Sequence, residues 1–259
     1  MSSPRKNTSN PDGTSWGPVA DLYEGHLASG DTYHERVILP NLLRLLGDVK
    51  GKKALDLACG TGYFSKKLAE LGASVTGTDV SPELIAKAKQ NLLGYPVSKF
   101  VVTPAHDLHE LKHISFDAII NILAIDNIAE VPGMLRECAR LLKVGGAMHI
   151  VFNHPVIRIH GNSSWGFDQK RGVQYRRLDK YMSESKVKIA MHPGLNSQST
   201  TTFHRSFQYY FQKFREVGFV VSNLEEWVSD KQSEPGPRQR AEDQSRKEFP
   251  LFLYLQLRK

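Results

Sequence analysis

Two carboxylates and two glycines carry the first chemistry that the chain suggests. Asp56 ends an apolar run and stands directly before a loop holding Gly60 and Gly62, and Asp79 follows 23 residues later at the end of the next apolar run. A glycine loop ahead of a helix usually cradles a pyrophosphate on backbone N–H groups. An acid at the mouth of such a loop would compete with that anion for the same small space. The dinucleotide fingerprint also asks for a third glycine, and the chain has Ser65 after Gly60-Thr61-Gly62. The pattern therefore predicts a ligand with a cationic head beside Asp56, and with paired hydroxyls, such as those of a ribose, for Asp79 to accept. A second group concerns proton removal. His154, His204 and Asp126 fall just after predicted strands or before a predicted helix, so all three are expected to converge at one edge of a sheet. A histidine there, neutral near pH 7, is the candidate base, with Asp126 orienting it or binding substrate. The sequence leaves open whether these histidines only tie the following segment to the sheet.

The elements that must position these groups follow from periodicity. Short apolar runs at Ala54–Ala58, Ser74–Thr78, Phe100–Thr103, Phe116–Leu123 and Ala147–Phe152 alternate with helical patterns from Tyr63, from Ser81-Pro82-Glu83 and over Gly133–Leu142, the last closed by Gly145-Gly146. Ser81 is a capping hydroxyl, Pro82 suits a first helical position and Glu83 faces the positive end of the helix dipole. Such alternation predicts a parallel, doubly wound α/β sheet. Upstream, residues 1–15 read as a disordered tail and residues 16–50 as a helical cap with two patterns, one around Val19, Tyr23 and His26, the other around Tyr33, Val37, Leu42 and Leu46. Residues 51–153 form the core, and residues 203–259 complete the sheet with a helix at Ser206–Val217, a strand at Phe219–Leu224, a charged loop with Pro235 and Pro237, and a strand at Leu251–Leu257.

Residues 154–202 break the rhythm. They are polar and turn-rich, and carry eight basic against three acidic side chains, which is +5 of the chain's formal +7. This segment is expected to be a lid that confers substrate specificity, with Trp165 and Tyr175 as aromatic walls and Arg176 and Arg177 holding an anionic group. Trp16 and His26 of the cap are further candidates for contact with the substrate. With 259 residues, 40% hydrophobic and 24% charged, the chain has the composition of one main globular domain. No run approaches the ~18 apolar residues of a membrane span, and no apolar leader opens the chain, so a cytoplasmic protein is expected. Cys59 and Cys138 are too few for a disulfide framework, and no metal-ligand spacing occurs, so no metal is expected.

A ribose joined to a cationic amino acid describes S-adenosylmethionine. The stretch Asp56-Leu57-Ala58-Cys59-Gly60-Thr61-Gly62 resembles the first motif of the class I S-adenosylmethionine-dependent methyltransferases, in the branch that includes ubiquinone and menaquinone biosynthesis enzymes. "VTGTDVSPELIAKAK" (Val75 to Lys89), "FDAIINILAIDNI" (Phe116 to Ile128) and "MLRECARLLKVGGAMHIV" (Met134 to Val151) resemble its later motifs, in order. The resemblance implies a Rossmann-like seven-stranded sheet with an antiparallel C-terminal hairpin strand. It also implies cofactor contacts from Asp56, Ala58, Cys59, Gly60, Gly62, Asp79 and Val80, with Asn121 beside the methionine part and Tyr23 covering the ligand. Two departures stand out: Ala58 replaces a common glycine, and Thr103-Pro104-Ala105-His106 replaces the usual Gly-Asp-Ala, leaving the backbone of Ala105 and the side chain of His106 as candidates for adenine. The implied reaction moves a methyl group to an O, N or C atom of a small molecule, an anionic one being compatible with the basic insert. Three alternatives stay open: an RNA methyltransferase that uses the insert as a phosphate-binding surface, a cofactor-binding protein without catalysis, and a nicotinamide-dependent oxidoreductase. The nucleobase amino-methylating signature is missing, since the position after the fourth strand reads Asn121-Ile122-Leu123-Ala124.

Overall fold

The computed structural model describes Trp16 and residues 32–95, 98–190 and 199–259. The expected tail and the first cap pattern, with Tyr23 and His26, lie outside the described residues. The second cap pattern is a π-helical turn, His34–Ile38, running into α1 (Leu39–Leu46), which ends at Gly47.

The core then alternates as expected: β1 (Lys53–Leu57), α2 (Tyr63–Glu70), β2 (Ser74–Asp79), α3 (Pro82–Asn91), β3 (Lys99–Val102), β4 (Phe116–Ile122), α4 (Val131–Leu141) and β5 (Leu142–Asn153). The cap at Ser81 forms as its sequence predicts, Oγ accepting the Leu84 N–H at 3.2 Å. One boundary differs. The α4 helix does not stop at Gly145-Gly146 but passes at Leu142 directly into β5, because Leu142 is buried and pairs with Phe116 of β4. The register shift between Phe116 and Ala118 absorbs the extra residues.

The insert is more regular than its composition suggested. It forms two antiparallel hairpins, β6 (Ser163–Asp168) with β7 (Val173–Leu178), and β8 (Ser185–Ala190) with β9 (Ser199–His204). After it come α5 (Phe207–Glu216), β10 (Val220–Trp227), α6 (Gln239–Glu248) and β11 (Phe252–Arg258). The α6 helix falls in the segment read as a charged loop. It carries almost no buried face, Ser245 being its one buried residue, and it is tied to the insert by the Ser245 hydroxyl at 3.3 Å from the Gln174 carbonyl.

The seven-stranded sheet has the order β10-β11-β5-β4-β1-β2-β3. β11 runs antiparallel to both of its neighbours, and the other pairings are parallel. Alternation along each strand divides the core in two. Leu55, Leu57, Ile119, Met148 and Ile150 face α4 and α5, while Ala54, Ile120, Ile122 and Val151 face the side of α1, α2 and α3. β1 has β2 on one side and β4 on the other, so the strand order reverses there and a crevice opens at the carboxyl ends of β1 and β4, the usual ligand position in an open α/β sheet.

Candidate functional site

The loop after β1 is built by a carboxylate clasp. Asp79 Oδ2 accepts the Gly60 N–H at 3.0 Å and Oδ1 accepts the Ser81 N–H at 2.9 Å, while the Cys59 N–H reaches the Thr78 carbonyl at 2.9 Å. Asp79 thereby joins the glycine loop to the start of α3. Gly62 has φ +80°, and a Cβ there would sit 3.0 Å from Leu92 Cδ1 and 3.1 Å from Ala88 Cβ, so only glycine lets α2 start this close to α3. Of the three described non-glycine residues with left-handed backbone, Lys180 lies in the insert and two lie here: Ala58 at φ 59° after β1 and Leu123 at φ 54° after β4. Such residues are uncommon, and these two flank the point of strand reversal.

Between them lies a cleft of about 1020 Å³, mouth included. Its wall combines apolar side chains, among them Phe64, Leu84, Ile122, Leu123, Ala124 and Ile128, with Asp56, Asp79 and the loop backbone. Asp56 is 2% exposed and accepts the Ser65 hydroxyl at 2.6 Å; burial, aided by the charge of Asp79, pushes its pKa up to about 7. Burial raises Asp79 as well, against the lowering effect of its backbone donors. Neither carboxylate has an ion-pair partner among the described residues. Burial and both carboxylates push the Cys59 thiol well above its ordinary range, which removes it as a nucleophile. Two hydroxyls in the same wall, Tyr63 and Thr78, are buried with no hydrogen-bond partner. Buried polar atoms are nearly always satisfied, so these two hydroxyls are available to a polar ligand or to ordered water.

Comparison with known proteins agrees with this geometry. The family described as "Methyltransferase domain" matches residues 55–150. An uncharacterized protein of Haemophilus influenzae is 30% identical over 213 residues, which is 80% of this chain and 82% of that protein. A Listeria monocytogenes crystal structure, assigned as an S-adenosylmethionine-dependent methyltransferase, superposes with a TM-score of 0.66 at 25% identity, over 90% of this chain and 99% of the other. The chain belongs to the class I S-adenosylmethionine-dependent methyltransferases. The ubiquinone biosynthesis O-methyltransferase of Xanthomonas oryzae is 36% identical over 104 residues, 40% of this chain and 44% of that enzyme, so the match spans less than half of its length.

The cleft of this methyltransferase fits its cofactor. A desolvated carboxylate without a cation suits neutral donors such as a ribose diol, which matches Asp79, and a buried carboxyl held at about pH 7 suits a cationic group that would return its charge, which matches Asp56. The unpartnered Tyr63 and Thr78 hydroxyls add further polar positions.

Of the residues singled out in the sequence, Trp16, Asp56, Ala58, Cys59, Gly60, Asp79, Val80, Ala105 and His106 line the cleft. The Thr103-Pro104-Ala105-His106 departure thus lies at the expected place. Gly62 does not line it, because its place is the packing against α3. Asn121 does not line it either: it is fully buried in β4, its amide donating at 2.9 Å to the Leu57 carbonyl of β1. The three groups expected to converge do not. His154 is buried against the opposite strand, Nε2 at 2.8 Å from Glu226 Oε1 and its ring edge-on to Phe207. Asp126 and His204 line a second, smaller cavity. The 3₁₀ turn Ile125–Asn127 separates the two spaces, with Ala124 and Asn127 on one side and Asp126 on the other.

The aromatic and basic residues of the insert also stand elsewhere. Arg176 is turned inward, Nε donating to the Ile157 carbonyl at 2.8 Å and Nη2 to Ser163 Oγ at 2.6 Å, its guanidinium over the Trp165 ring. Arg177 is exposed and paired with Asp179, Tyr175 stands opposite Gly166 in the β6–β7 hairpin, and Trp165 packs against Phe249; neither aromatic lines the cleft. These four bind the hairpin together. Sequence reasoning missed Tyr63, Thr78 and Asn127 in the cleft wall; Tyr63 was legible only as the first residue of α2, whose direction depends on the packing of Gly62. Among the described residues no group of His, Cys, Asp and Glu could hold a metal ion, and no helix is long and apolar enough to cross a membrane.

Proposed function

We propose that this methyltransferase acts on a small molecule that enters through the mouth of the β1–β4 cleft, and that its catalysis rests on alignment and exclusion of water. The observation that carries the reading is the pair of buried carboxylates without cations, Asp56 and Asp79, lining one cleft together with apolar side chains. The names of the quinone-modifying relatives support a small acceptor. The sulfonium supplies a methyl group that is already activated, and its transfer is an in-line displacement. Asp79 would accept the ribose hydroxyls, Asp56 would face the cationic amino-acid part, and Ala105 and His106 would border the base. The walls at Ile122–Ala124 and Ile128 keep water from the reacting centre. His154 lies outside the cleft wall, so the proposal gives it no proton to remove.

The RNA reading has less support because, of the eight insert cations that suggested it, Arg176 is turned inward to backbone and Ser163, and Arg177 and Arg171 stand beside Asp179 and Asp168. The test is release of S-adenosylhomocysteine from S-adenosylmethionine, screened against a panel of phenols, amines and carboxylic acids, with Asp79→Asn as the control. Turnover lost in the control supports the site. Turnover that survives Asp79→Asn with unchanged KM for the donor would refute it.

A further inference from the structure

The second cavity, about 290 Å³ with its mouth, lies on the far side of the Ile125–Asn127 turn from the cleft. Its wall holds two guanidiniums, Arg158 and Arg205, and one carboxyl, Asp126. Arg205 is 4% exposed, and its buried Nη1 has no partner in hydrogen-bonding geometry, although the guanidinium does act on the Tyr210 hydroxyl that shares the wall. The rest of its guanidinium is fixed. Nη2 donates to the Ala129 carbonyl at 3.0 Å, and the plane lies 4.7 Å from the Phe203 ring centre and 5.3 Å from that of Tyr209. Its nearest acid, Glu184, is exposed and 4.0 Å away from Nε. A buried guanidinium nitrogen without an acceptor is costly unless something supplies one.

Arg158 arrives from the start of the insert, its Nη1 donating to Asn153 Oδ1 at 3.0 Å, and Asn153 in turn donates to Asp126 Oδ2 at 3.1 Å. Asp126 is therefore already hydrogen-bonded, and the charges of Arg158 and Arg205 act on it against the effect of burial, so two guanidiniums face one carboxyl and the wall keeps a net positive charge. His160 and His204 complete the polar wall, His204 being tied through Nε2 to the Tyr181 carbonyl at 2.8 Å.

We infer that this cavity binds an oxyanion group, a carboxylate or phosphate, through Arg205 Nη1 and Arg158, and that the group belongs to the methyl acceptor. A planar, pre-oriented guanidinium is the side chain best suited to such a group. Because one turn of chain forms part of both walls, an acceptor anchored here lies beside the donor cleft. The basic anchor predicted at Arg176 and Arg177 is thus moved to Arg158 and Arg205. The acceptor half of the assignment rests on the proposed function; the anion site itself does not.

The test titrates inorganic phosphate and acetate into the full chain by calorimetry, without donor, in wild type, Arg205→Gln and Arg158→Gln. Arg158 is exposed, so its variant reads the site even if Arg205→Gln fails to fold. Saturable binding that weakens at least tenfold in Arg158→Gln, with S-adenosylhomocysteine affinity reporting an intact fold, supports the site. No saturation with either anion, or binding equal in the variants, overturns it. In the acceptor screen, phosphate should compete with the acceptor, and carboxylic acids should be methylated at least tenfold faster than their amides. Phosphate that binds through these arginines without competing would overturn the acceptor half. Failure of the chain to bind S-adenosylhomocysteine would sink the methyltransferase reading while leaving the phosphate titration interpretable.

Discussion

Replacing Asp56 by asparagine should make the free protein more stable at pH 8 while weakening its hold on the donor. Folding moves this carboxyl from an ordinary pKa of 3.8 to about 7, chiefly because it is buried. Between those values the folded protein keeps a proton that the unfolded chain releases, so stability falls as pH rises from about 4 to about 7 and is level above that. At about 1.4 kcal/mol per pH unit, the full loss is about 4 kcal/mol. Asparagine can still accept the Ser65 hydroxyl, now 2.6 Å from Asp56. Its buried NH₂ would lack a partner, at a cost of about 1 kcal/mol. The net gain at pH 8 is then about 3 kcal/mol, and little or nothing at pH 4. Urea unfolding at both pH values measures this directly, with the wild type serving as its own reference for the contributions of Asp79 and Asp126. Calorimetry with S-adenosylhomocysteine at pH 8 should show affinity lower by roughly 10- to 100-fold, the value of one charge-assisted hydrogen bond. Wild-type affinity should itself fall as pH drops below 7, since the carboxylate must ionise to meet a cation. An equal stability difference at pH 4 and pH 8 would refute the burial argument, and unchanged donor affinity would refute the placement of the cation.

Three further outcomes follow from the same geometry. Asp79→Asn should weaken donor binding roughly 10- to 100-fold by calorimetry, because one of the two N–H groups that Asp79 now accepts would meet an amide N–H. Gly77→Ala should lower stability by about 1–3 kcal/mol in urea unfolding, since a Cβ there would sit 2.5 Å from the Phe100 ring and 3.0 Å from Cys59 Sγ, and the displaced loop should raise the donor KM. His154→Gln should leave kcat within about threefold once an acceptor is in hand, whereas a true base would cost about 10²–10⁴; a loss of that size would return His154 to the chemistry.

The loop and carboxylates at the end of β1 and β2 were legible because their placement is local. Asp56, Gly60, Gly62 and Asp79 stand at the ends of two adjacent parallel strands, and a strand–helix–strand unit fixes where those ends lie whatever surrounds them. The helix starts were legible for the same reason, Ser81 and Ser206 each forming the cap that its type predicts. The insert hairpins were not, because strands such as Val173–Leu178 alternate only between exposed and half-buried, with little apolar contrast to show a period of two. The α6 helix was hidden in the same way.

For the acceptor side, sequence position was misleading. His154, Asp126 and His204 all sit near one sheet edge, but a strand end fixes a backbone position and not the direction of the side chain that follows it. His154 turns toward Glu226 across the antiparallel hairpin, and the Ile125–Asn127 turn puts Asp126 on the opposite side of the wall from Asn127. Arg205 shows the division most clearly. As a letter in the sequence it is one basic residue among many. Only the packing of β9, α5 and the turn after β4 buries it, sets it against two aromatic rings and leaves its Nη1 without an acceptor, because burial and partnership are properties of elements far apart in the chain. The sequence by itself determined the sheet, the donor loop and its two carboxylates through short-range patterns; the tertiary structure alone decided which polar groups face each cavity, since that depends on how remote elements close over them.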